Sequence, residues 1–256
     1  MRTGNPALSE KAFAGLARTS DTMTIQGTVN KTLLLLILAL LSALWIWMRF
    51  FDGLSGTLEP SQVAVNAGAI YPWIIGGSLG GLVFAMITIF KKTWAGVTAP
   101  IYALLEGLVL GGLSAIFEAQ FPGIVIQAVG LTFGTMFCLL VAYTSRLIQP
   151  SENFKLGIVA ATGGIFLIYL ATFILGFFGI NIPYIHGNGW FGIGFSLFVV
   201  VIAALNLVLD FDFIENAARQ GAPKYMEWYA AFGLIVTLIW LYIEMLRLLA
   251  KLRSRN

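Results

Sequence analysis

Charge, cysteine and histidine are all scarce in this chain, and each shortage removes a class of function. Charged residues make up 11% of the 256 positions and hydrophobic ones 59%, with a mean hydropathy of +0.88. A soluble domain carries about 25% charged residues, so a water-covered globule is excluded and an integral membrane protein remains. The one cysteine, Cys138, lies in the apolar run "TMFCLLVAY". It can form no intramolecular disulfide and is expected to pack as a small hydrophobe, so redox chemistry is not the theme. The one histidine, His186, falls in the loop "NIPYIHGNGWFG". No histidine metal cluster can be assembled, and a serine-histidine site would have to recruit that single loop residue, which argues against a membrane enzyme. The run "LIVTLIWLYIEMLRLL" holds no lysine for a Schiff base, which excludes retinal binding. The net charge of +3 and pI near 9.0 do not call for nucleic acid, because the basic residues sit in short loops and tails beside apolar runs.

What the chain has instead is long apolar runs. A span needs about 20 mostly apolar residues, and seven stretches qualify, near 32–51, 69–90, 99–117, 123–143, 156–179, 190–209 and 228–250. Breaks such as "KKTWAGVTAP", "AQFPG" and "SRLIQPSENFK" separate them. The expected fold is an all-α membrane protein of seven antiparallel helices. A cytoplasmic tail over 1–31 precedes a transmembrane domain over 32–250 and a basic tail over 251–256. No secretory signal is expected, since a polar tail precedes the first run and no small-residue cleavage site follows it.

The loops predict the orientation. With Arg2, Lys11, Arg18 and Lys31 cytoplasmic, Lys91, Lys92, Arg146, Lys155, Arg219 and Lys224 fall on the same side, and the opposite loops offer only Arg49. The C-terminal tail conflicts with this: seven crossings put Arg247, Lys251, Arg253 and Arg255 outside. Full crossing by the last run is favoured over a dip and return. Trp45, Trp47, Trp73, Trp94 and Trp190 lie near span ends, as interfacial anchors do. Glycines four apart, Gly76 with Gly80, Gly77 with Gly81, Gly107 with Gly111 and Gly130 with Gly134, read as close helix contacts.

A carboxylate costs about +2.5 kcal/mol or more at the centre of a membrane helix, so one that persists is expected to face a cavity or a partner. Glu106 lies in "APIYALLEGLVLGG", Asp210 in "LVLDFDFIEN" and Glu244 in "LYIEMLRLL". Asp212, Glu215 and Arg219 share one helical face, expected to be wet, with Glu215 and Arg219 as an i,i+4 pair. Asp210 points about 200° away from Asp212, towards the bundle. Two acids brought together at low dielectric cannot both ionise cheaply, and such a pair titrates as a coupled unit. Ionised, it offers hard oxygens to a divalent cation such as calcium. The plainer alternative neutralises each acid locally, Glu244 by Arg247 and Asp210 by water at the membrane edge.

These stretches carry a likeness. "LLEGLVLGGL", "LVLDFDFIEN" and "LYIEMLRLL" are similar to segments of the third, sixth and seventh helices of the Bax inhibitor 1 family, the transmembrane Bax-inhibitor-motif proteins. "GNPALSEKAF" and "GAPKYMEWYAAFGL" resemble a bacterial branch of it. The resemblance implies a seven-helix fold with the last helix central, in a bacterial inner membrane. It also implies a pH-sensing pair of acids on helices six and seven that controls a calcium leak. Carried over by motif, the pair is Asp210 with Glu244, which would also hold calcium transiently. Glu106 and Asp212 are supporting or alternative acids, and lipid, protons and calcium are the partners. Two departures stand out: Glu replaces the usual Asp at 244, and the separation of Asp210 from Glu244 is about ten positions longer than the family's. A proton-coupled transporter and a non-conducting regulator of other membrane proteins are the competing functions.

Overall fold

The computed structural model describes residues 21–52, 60–179 and 189–255. His186 and the basic residues Arg2, Lys11 and Arg18 lie outside the described residues. Among the described residues, seven long helices follow one another: α1 (Ile25–Phe51), α2 (Pro60–Phe90), α3 (Ala95–Gln120), α4 (Ile124–Thr144), α5 (Glu152–Phe177), α6 (Trp190–Arg219) and α7 (Met226–Arg253). All seven are long and apolar enough to cross a membrane, which makes this a multi-pass membrane protein.

Local chemistry starts and stops the helices. Thr24 caps α1 by accepting from the Gly27 amide at 3.0 Å, and Ser151 caps α5 by accepting from the Phe154 amide at 3.3 Å. Glu118 accepts from the amides of Gly123 at 2.5 Å and Val125 at 3.0 Å, placing a negative charge at the positive end of α4. Gly221, at φ 68°, ends α6. The Ala222 amide donates to Ala217 O and the Gly221 amide to Ala218 O, both at 3.1 Å, in the doubly bonded turn that suits a left-handed glycine.

Several helices outrun the spans read from hydropathy, α1 and α6 among them. α1 starts at Ile25, so Lys31 is a helix residue rather than part of a tail. α6 continues to Arg219, so Asp210 does not close the helix; Asp212 and Glu215 lie on it too.

The helices sort into two compact units. The first holds the described part of Gly15–Val125 with Asn216–Val236, and the second Ile126–Glu215 with the described part of Thr237–Asn256. In the first, α3 packs against both α1 and α2. Gly107 and Gly111 admit α1 so closely that a Cβ on either would collide with its backbone, and Gly77 does the same between α2 and the Leu105 carbonyl. Gly76, Gly130 and Gly134 face open space, so their spacing carries no close contact. Ile46, Phe50, Ile70 and Ala115 form a core, and the rings of Trp45 and Trp73 meet edge to face at 5.1 Å. In the second unit, Ile165, Val199 and Ile202 are packed by Tyr169, Phe195 and Trp240.

α6 and α7 are the most buried spans, at 56% each against 11–44% for the other five, and both contribute residues to the two units. α7 is one continuous helix of 28 residues, roughly 42 Å at 1.5 Å per residue, and does not dip and return. Its basic end is held within the second unit. Lys251 donates to Gly192 O at 3.0 Å and Ser196 Oγ at 2.8 Å, Arg253 donates to Gln127 Oε1 at 3.0 Å, and Arg255 stacks 3.6 Å from the Trp190 ring. Cys138 does not pack inside; it is exposed on α4, whose span is only 17% buried.

Candidate functional site

In the second unit, α6 carries Asn206, Asp210, Asp212 and Glu215. Asp210 is fully buried, and Asn206, one turn earlier on the same face, is 2% exposed. Asp212 is not simply wetted. It pairs at 2.9 Å with Lys155, which is itself buried and also bonds Glu152 at 3.1 Å. Glu215 accepts from the Tyr143 hydroxyl. A face expected to be wet therefore holds α4 and α5 to α6.

Glu244 is 1% exposed. Its Oε1 accepts from the Tyr169 hydroxyl and from Arg247, each at 3.0 Å, while the Arg247 guanidinium lies 5.5 Å from the Tyr169 ring centre. Its Oε2 is buried without a hydrogen-bond partner among the described residues. The local partner considered for Glu244, Arg247, is present, and Tyr169 joins it. Sequence reading missed Tyr169, because its contact spans 75 positions.

The register of α5 against α6 sets the levels of Asp210 and Glu244 along the axis. Lys155 meets Asp212 and Thr162 meets Asn206, so α5 and α6 run antiparallel with Tyr169 level with about Val199, beside the Phe195 ring. Glu244, bonded to Tyr169, therefore stands some eleven residues (210 − 199) from the level of Asp210, roughly 16 Å along the axis. Asp212 lies two residues further still, and is engaged by Lys155.

Glu106 lies near the middle of α3 in the first unit, and its Oε1 occupies space that a side chain on Gly81 would need. Tyr102, one turn before it, is buried.

A second acid of the first unit was not singled out by sequence reading. Glu227, in the first turn of α7, is fully buried. It accepts from the Thr24 amide and hydroxyl at 2.9 Å each, from Lys224 at 3.0 Å and from Lys31, whose ammonium lies 5.5 Å from the Trp228 ring centre. Beside it, the chain before α1 pairs with the α6–α7 turn: the Met23 amide donates to Ala222 O at 2.7 Å and the Lys224 amide to Asp21 O at 3.1 Å. Lys224, outside the spans, has its pKa raised above the ordinary lysine value chiefly by its hydrogen bond to Glu227, and burial raises that of Tyr225. The only sequence signal for Glu227 was an acid in a helix's first turn; nothing local ties it to Thr24.

Among the described residues, no group of three or more histidine, cysteine or acidic side chains could hold a metal ion. Residues 5–254 match the family model described as "Bax inhibitor 1 like". Among curated proteins and solved structures, none matches the chain.

Proposed function

Because the chain belongs to the Bax inhibitor 1-like family, we propose that it is a cation leak pathway of that type, with calcium as a permeant ion and pH as its regulator. The observation that carries this reading is the burial of two carboxyl groups, Asp210 and Glu244, inside helices apolar enough to span a membrane. Acids so placed are costly, and a path for cations or protons is the use that offsets the cost. The two act as separate switches rather than as one shared-proton pair. Glu244, on protonation, loses the charge that holds Arg247. Asp210, on protonation, changes the charge of the α6 face. The membrane is a bacterial inner membrane, with the N-terminus in the cytoplasm.

The test is calcium entry into liposomes holding the purified full chain and an internal dye, over roughly pH 5–8, for wild type, Asp210→Asn and Glu244→Gln. Separate switches predict a leak whose pH response is reduced in part by each substitution and removed by both. Complete loss with either one restores the coupled pair. A folded wild type that passes no calcium at any pH overturns the leak reading and leaves transport or partner regulation.

A further inference from the structure

Two buried side chains of the second unit carry an oxygen that accepts no hydrogen bond among the described residues: Glu244 through Oε2 and Asn206 through Oδ1. The Asn206 oxygen is the more informative, because the rest of its amide is already engaged. Its nitrogen donates to Thr162 Oγ1 and to the Ile202 main-chain oxygen, both at 2.8 Å. A main-chain carbonyl can only accept, so the bond to Ile202 assigns the nitrogen and leaves the other branch as oxygen. Both amide hydrogens are then used, and the side chain has only an acceptor left to offer. Buried acceptors are ordinarily satisfied, so one that is held bare points to an absent donor or cation.

The surroundings narrow the choice. One turn along the same face stands the fully buried Asp210 carboxylate. Within that turn α6 presents an amide oxygen and a carboxylate, both hard oxygens of the kind that replace part of a cation's water. About seven residues in the other direction (206 − 199), roughly 10 Å along the axis, lies the level of Glu244 with its own bare oxygen. Oxygens too few to trap a cation, placed at successive depths, suit a path that a cation enters and leaves.

We infer that Asn206 is a cation-binding station inside the second unit, its carbonyl oxygen facing the ion and Thr162 acting as the positioning residue that keeps the amide nitrogen turned away. This rests on the leak reading above. An anion or a neutral acceptor-rich substrate is disfavoured there, since both hydrogens of the Asn206 amide are already donated.

The experiment compares calcium and sodium flux in liposomes for the full chain and for Asn206→Leu, Asn206→Asp, Thr162→Val and Thr162→Ser, each first checked for a monodisperse folded state. Asn206→Leu should lower both fluxes by about tenfold, the effect of losing one ordinary oxygen contact. Asn206→Asp should keep the flux and shift it towards calcium. Thr162→Val should lower flux, because it frees an amide hydrogen to turn towards the ion, and Thr162→Ser should restore it. A merely structural role would not move the calcium-to-sodium ratio. A leaking wild type with an equally leaky, folded Asn206→Leu overturns the station alone. If Asn206→Leu does not fold, equal fluxes in Thr162→Val and Thr162→Ser overturn it. A silent wild type overturns the leak reading itself.

Discussion

The carboxylate of Glu227 occupies the space that a side chain on Gly27 would fill. Two residues on different helices, α1 and α7, are thus fitted to each other by the absence of a Cβ on one and the full burial of the other. Gly27→Ala should destabilise the protein by about 1–3 kcal/mol through overpacking. Glu227→Ala should destabilise it as well, because it removes the acceptor that Thr24, Lys31 and Lys224 share. Thermal unfolding in detergent reads both, and a wild-type melting temperature for Gly27→Ala would show that the clamp gives way easily.

The same clamp predicts a response to alkali. Lys224 and Tyr225 both have pKa values raised above their ordinary ones. A group raised on folding contributes stability below its unfolded pKa and loses it as pH rises through the folded value. Stability should therefore fall as pH climbs past the ordinary tyrosine and lysine values of 10.0 and 10.5. Lys224→Met should flatten part of that fall and leave the part due to Tyr225 in place. Melting temperatures measured between neutral and strongly alkaline pH test the sign.

Glu244 distinguishes its two donors. Tyr169→Phe removes one hydrogen bond to a charged group, about 1.5–3 kcal/mol. Arg247→Ala leaves a buried carboxylate without its cation, about 3–5 kcal/mol. Combining Arg247→Ala with Glu244→Gln should cost less than the two singles added, since the uncompensated charge is gone. Strict additivity in such a cycle would show that the 3.0 Å contact carries no coupling.

The glycine pairs should separate cleanly by context. Gly107→Ala and Gly111→Ala drive a methyl into the α1 backbone and should each cost about 1–3 kcal/mol. Gly130→Ala and Gly134→Ala meet open space and should be neutral or gain up to about 1 kcal/mol of helix propensity. Equal effects on the two pairs, again read by thermal unfolding, would count against the close approach of α1 to α3.

The sequence alone determined the membrane class, the seven spans and the presence of acids inside them, because run length, composition and the cost of a charge in hydrocarbon are properties of a segment by itself. It also carried the family, through short motifs spread along the chain. Tertiary structure decided which side chains meet. Glu244 with Tyr169 and Glu227 with Thr24 lie 75 and 203 positions apart, and a helical pattern fixes a face but not the neighbour opposite it. Asp210 and Glu244 show the limit most plainly: each was recognisable as a buried acid, yet which groups each one faces depends on the packing register of α5, α6 and α7. Register is set by many distant contacts acting together, and no local stretch of residues encodes it.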